Sequence, residues 1–175
     1  MDLHEQIEQD IWAWLREFVS VPNEFYDFEY APCPFARGAI MSERVDVVAW
    51  RAGDFSAFIR KSAGTMRDVP KLQTRVIAFP PRAQFAWGIS EFVEALNMEV
   101  IADNLFLNTG LAKTSESRYP GANDPYFIVV VNSLDAVLLG TKALQKSAYY
   151  DNWPKGHYGI VVERRARLAE RYGAK

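Results

Sequence analysis

The chain has 175 residues, 49% of them hydrophobic, with 20 Lys and Arg against 22 Asp and Glu and a net charge of −2. A single domain of that size buries about 70% of its unfolded surface, and with no basic block the charge balance argues against nucleic acid or an anionic membrane as main partner. One cysteine excludes an internal disulfide and fits a reducing cytoplasm, the acidic start Met1-Asp2-Leu3-His4-Glu5 does not read as a signal peptide, and no run of 18 apolar residues spans a bilayer.

Helices and strands alternate along the chain. Asp2 and Glu5 form a capping box that opens a helix to about Phe18, with Leu3, Ile7, Ile11, Trp14, Leu15 and Phe18 on one face. An irregular stretch runs from Val21-Pro22-Asn23 to a turn at Cys33. Val45 to Trp50 reads as a strand, and Asp54 caps a helix that turns Phe55, Phe58, Ile59 and Met66 inward. Thr74 to Phe79 is a buried strand stopped by Pro80-Pro81, and the next helix buries Phe85, Ile89, Phe92, Val93 and Leu96. A third strand lies around Asn104 to Asn108, followed by a polar loop to Asp124. Tyr126 to Val131 is the most apolar strand and reads as central. Ser133 caps a helix to about Ala148, and a last helix runs through Val162-Glu163-Arg164-Arg165 towards Gly173. The pattern predicts a single α/β (α+β) domain spanning residues 1–175, with a four-stranded mixed sheet packed against helices.

The lone cysteine sits in Ala31-Pro32-Cys33-Pro34-Phe35-Ala36-Arg37-Gly38. Pro34 suits the first position of a short helix, which would make Cys33 its N-cap with the sulfur facing the free amides of Phe35 and Ala36. That setting biases a thiol towards thiolate; the competing reading is a small structural hydrophobe in a turn. Aromatic residues make up 14% of the chain, many of them early, among Trp12, Trp14, Phe18, Phe25, Tyr26, Phe28, Tyr30 and Phe35. They suit a core, or the walls of a pocket for a flat apolar ligand. There is no Gly-x-Ser-x-Gly elbow, Gly-rich phosphate loop or paired-histidine helix. His4 and His157 are the only histidines, so a three-histidine metal site is excluded, while a Cys33–His157 nucleophilic pair stays formally open.

Three stretches resemble the YqcI/YcgG family. Pro32-Cys33-Pro34-Phe35-Ala36-Arg37 is similar to its Pro-Cys-x-Phe-Ala/Gly-Arg/Lys signature, and Leu105-Phe106-Leu107-Asn108 to its apolar strand ending in Asn. Ser117-Arg118-Tyr119-Pro120-Gly121, followed by Tyr126 to Asn132, is similar to its Ser-Arg-x-x-Gly loop and following strand. A second bacterial group of unknown function also carries Cys-Pro-Phe-Ala near its N-terminus and resembles this chain in layout. The chain is shorter than typical family members, and Leu111, Ala112 and Lys113 stand near where a His and further arginines often precede Ser-Arg.

Members of the family include haem-dependent oxygenases that hydroxylate guanidine or amine nitrogens in small-metabolite biosynthesis. The resemblance therefore implies a haem-binding oxygenase acting on a small amine, guanidine or amino-acid-like metabolite, with an external electron donor and with Arg118 and Asn108 as catalytic candidates. On chemistry, Cys33 offers the haem a thiolate and Phe35 and the early aromatics offer walls. Arg37 and Arg118 offer forks for propionates or a substrate carboxylate, though a loop arginine is more commonly just solvated. His157, in the rigid loop Trp153-Pro154-Lys155-Gly156-His157-Tyr158-Gly159, is the rival axial ligand because a neutral imidazole needs no lowered pKa. His4 opens an exposed helix and plays no part. Two other classes compete: a non-catalytic binding module with a structural cysteine, and an enzyme using Cys33 as nucleophile.

Overall fold

The structure is a computed structural model that describes residues 2–80, 86–110 and 126–173. The sheet order is β1 (Val45–Ala49), β2 (Thr74–Phe79), β4 (Phe127–Ser133), β3 (Leu105–Gly110). β1 and β2 run parallel, joined through α3 (Phe55–Asp68), while β4 is antiparallel to both its neighbours. The expected mixed four-stranded sheet is present, and the most apolar strand, β4, is an interior one.

Period-two alternation gives each strand two apolar faces, which is why the strands read as near-continuous hydrophobic runs. On one face Ile77, Phe79, Leu107, Val129 and Val131 pack against Ile59, Ala63 and Met66 of α3 and Ile89, Val93 and Leu96 of α4 (Ala86–Val100). On the other, Val47, Ala49, Val76, Ala78 and Ile128 lie under Ile7 and Ile11 of α1 (Leu3–Trp14) and under Leu15. Further along that second face Phe106 meets Leu134 of α5 (Leu134–Leu144) and Leu168 of α7 (Arg164–Tyr172). Among the described residues no helix is long and apolar enough to cross a membrane.

Capping residues set several helix starts as the sequence predicts. Asp2 and Glu5 make the capping box of α1, which widens into a π-helical turn over Leu15–Val19, and Asp54 accepts from the Ser56 amide at the start of α3. Two expectations are corrected. Leu3 is exposed, because the buried face of α1 begins one turn later at Ile7. Ser133 stands at the N-cap of α5 but its side chain caps nothing; the Asn104 side chain, from the loop before β3, accepts from the Asp135 amide at 2.9 Å. Asn104 reaches across because its own backbone is left-handed (φ 61°), a conformation asparagine tolerates better than most residues.

Both outer strands have part of their free edge covered by a side chain. On β1 the Glu8 carboxylate accepts from the Ala49 amide at 3.0 Å. On β3 the buried Asn97 side chain accepts from the Leu107 amide at 2.7 Å and donates to the Leu107 carbonyl at 2.9 Å, as a further strand would. Unpaired backbone at a sheet edge is a template for association, and these contacts occupy it. At the end of β3 only glycine fits at position 110, where a Cβ would come within 2.2 Å of the Ile128 side chain.

Candidate functional site

The segment around Cys33 docks onto the C-terminal part of the chain. Cys33 donates its amide to the Val19 carbonyl at the end of the π-helical turn, and its carbonyl accepts from the Ala36 amide. The short helix α2 (Ala36–Met41) thus starts two residues later than expected, with Phe35 rather than Cys33 at the N-cap. The Cys33 sulfur still accepts from the amides of Phe35 and Ala36, but desolvation outweighs these two bonds and pushes the thiol above its ordinary 9.0. The expected bias towards thiolate is therefore reversed: local amides stabilise the anion less than burial penalises it. The residue as a whole is nevertheless exposed.

A directed chain of hydrogen bonds ends beside Cys33. The Trp153 indole N–H donates to the Tyr26 hydroxyl at 3.1 Å, Tyr26 donates to Tyr149 at 3.1 Å, and Tyr149 donates to the Pro32 carbonyl at 2.5 Å. The Tyr26 and Tyr149 rings stack with centroids 4.7 Å apart, and Tyr150 meets Tyr149, Trp153 and Tyr158 edge-on at 4.9–5.2 Å. Edge-to-face contacts of this kind contribute about 0.5–1.5 kcal/mol each beyond area burial. Burial, and secondarily the Tyr26 hydroxyl, drives the Tyr149 phenol far above its usual range.

His157 joins this cluster from the short helix α6 (Lys155–Tyr158), its ring 4.6 Å from Trp153. Desolvation lowers its pKa below the ordinary 6.5, so its imidazole is neutral at pH 7. Cys33 and His157, the two donors singled out from the sequence, are thus drawn to one aromatic cluster. Among the described residues no three His, Cys, Asp or Glu side chains converge as metal ligands.

The other sequence candidates are scattered. Phe35 is 48% exposed, and its ring lies on Gly140 of α5, where an added Cβ would come within 2.8 Å of Cε2; glycine in mid-helix is what lets the ring lie there. Arg37 is exposed on α2. Asn108 is half-buried on β3 opposite Val130, on the sheet face that also carries Ile128. Ser117, Arg118 and Gly121 lie outside the described residues, as does Phe85.

The cluster's other end is polar, and sequence reasoning missed it. Arg165 of α7 is only 5% exposed and donates to the Thr141 hydroxyl of α5 at 2.6 Å. Tyr150 hydrogen-bonds to Thr141 as well, and its phenol is raised by burial. One signal was available: Tyr149, Tyr150, Trp153 and Tyr158 repeat in the C-terminal third the aromatic density noted near the N-terminus. No family model, curated protein or solved structure matches the chain.

Proposed function

We propose that the chain is a haem-binding oxygenase hydroxylating a nitrogen of a small amine, guanidine or amino-acid-like metabolite, with its site where Cys33 and His157 meet the aromatic cluster. The observation that carries this reading is that two iron-ligating residue types, far apart in sequence, are both tied to that cluster, Cys33 through the Tyr149 bond to Pro32 and His157 through Trp153. The donor set fits haem, which asks one axial ligand of the protein rather than a converging triad. When bound, haem would supply dioxygen activation, fed by an external electron donor.

The residues of the chain divide the remaining work. His157 ligates at neutral pH without losing a proton. Cys33 would first have to release a proton that desolvation holds on its sulfur. The Tyr26–Tyr149–Trp153 chain fixes the donors' surroundings with its polar atoms satisfied, which is the preorganisation a ligand site needs. Arg37, exposed just beyond Cys33, offers a cation to a propionate.

One observation favours a second reading, a non-catalytic binding module with a structural cysteine. The raised thiol suits an inert cysteine and speaks against a Cys33 nucleophile.

A haemin titration followed by absorption separates the readings. The oxygenase reading expects a Soret band saturating at about one equivalent, lost in His157→Ala and retained in Cys33→Ser. Loss in Cys33→Ser alone, with a long-wavelength band in the reduced carbon monoxide complex, moves the ligand to Cys33. No Soret change in the unmodified chain leaves the binding module standing.

A further inference from the structure

Among the described residues, Arg165 is the one buried guanidinium whose charge no carboxylate answers. It is 5% exposed, its Nη2 donates to the Thr141 hydroxyl at 2.6 Å, and its buried Nε–H has no acceptor among the described residues. No carboxylate among the described residues pairs with it: on the same stretch of helix Glu163 goes to Arg167, and neighbouring Arg164 goes to Glu94 of α4. Charges taken out of water are normally paired or hydrogen-bonded to capacity, since the penalty for leaving them bare is large. Asp46 provides the contrast, because it answers the half-buried Arg75 across the sheet at 3.3 Å.

We infer that Arg165 is the anchor of a binding site for a small organic carboxylate, lying between α5 and α7 at the end of the aromatic cluster opposite Cys33. The donors suit such a group. The unpaired, buried Nε–H and the Nη N–H on its side of the guanidinium form the planar fork that takes both oxygens of a carboxylate. Thr141 and Tyr150, hydrogen-bonded to each other, supply hydroxyls beside it. A single buried cation balances a monoanion, whereas a phosphate dianion would leave one charge bare in the same low-dielectric surroundings. The neighbouring rings of Tyr150 and Tyr158, 5.2 Å apart, suit the organic part of the ligand. The site stands independently of haem, since none of its residues is a proposed iron ligand.

The test uses benzoate as probe and benzamide, its neutral isostere, as control, read by thermal unfolding of the full chain. Benzoate raises the melting temperature of the unmodified protein saturably and benzamide does not. Arg165→Met weakens the benzoate response by roughly tenfold to a hundredfold, the loss expected for a charge-assisted bond. Arg165→Lys keeps the charge without the fork and weakens it at least about tenfold, which keeps the test alive should Arg165→Met fail to fold. Equal responses to benzoate and benzamide, no response to benzoate, or an undiminished response in Arg165→Lys would each overturn the proposal.

Discussion

The sheet face beneath α3 and α4 buries Ile59, Ile77, Phe79, Leu107 and Val129 without an ionisable side chain among them. The cluster between Pro32 and α7 instead buries the hydroxyls of Tyr26 and Tyr149 and the guanidinium of Arg165. Aliphatic packing needs only shape and volume. A buried polar cluster needs every donor matched, so it fixes one arrangement and is costly wherever a match is missing. The two regions thus divide aliphatic packing from polar chemistry, and the guanidinium that no carboxylate among the described residues answers, that of Arg165, lies in the second.

The largest effects should come from the first region. Ile77→Ala, at a fully buried position, costs about 2–5 kcal/mol by transfer and cavity terms. It should leave haemin and benzoate affinities unchanged in the folded fraction; a changed affinity would show that the regions are coupled. Tyr149→Phe comes next. It leaves the Pro32 carbonyl without its donor and Tyr26 without its acceptor, at about 1–3 kcal/mol for each buried group, and chemical denaturation would measure this together with an altered haemin spectrum.

Arg165→Met should sharpen the contrast. It removes an uncompensated buried charge and keeps an unbranched stem, so the ligand-free protein melts no lower than the unmodified chain. A fall of several degrees would make Arg165 part of the scaffold.

The pH dependence is the smallest effect and belongs mainly to the cluster. Cys33, Tyr149 and Tyr150 hold their protons more tightly folded than unfolded. The unfolded chain therefore releases them first, and stability present below pH 9.0 is lost as pH rises above the ordinary thiol and phenol values. Tyr126, donating to Asp10 at 2.6 Å and pushed up to about 12, adds a loss between pH 10.0 and about 12. Cys33→Ala should flatten the first part of this limb, and Tyr126→Phe the last. In acid the sign reverses for His157. Its lowered pKa means that the unfolded chain takes up the proton first, so stability falls as pH drops below 6.5, and His157→Ala removes that small step. Melting temperatures across pH for the three variants check each limb.

Much of the fold was legible because its signals are local. Alternation marked the strands, 3.6-residue spacing marked Ile7, Ile11 and Leu15, and Asp2 and Asp54 announced their helices by side chains that cap within three residues. What the sequence hid depends on distant partners. Asn104 caps α5 from the loop before β3, Asn97 covers β3 from α4, and neither pattern differs in sequence from an ordinary polar residue. Cys33 failed for the same reason. Its amide partners were predictable from the next three residues, but the desolvation that reverses their effect comes from tertiary packing. Tyr149 and Arg165 carried no local motif and acquired meaning only when α5 and α7 met.

The central claim, that ligand chemistry lies in the aromatic cluster and not at the sheet, is tested most directly by the indole N–H signals of nitrogen-labelled protein during titration with ferric haemin. A paramagnetic iron broadens nearby protons. The signal of Trp153, which contacts His157 and donates to Tyr26, should broaden by one equivalent, while those of Trp12 on α1 and Trp50 on the α3 face stay sharp. Uniform broadening, or loss of the Trp12 or Trp50 signal with Trp153 intact, would contradict the claim.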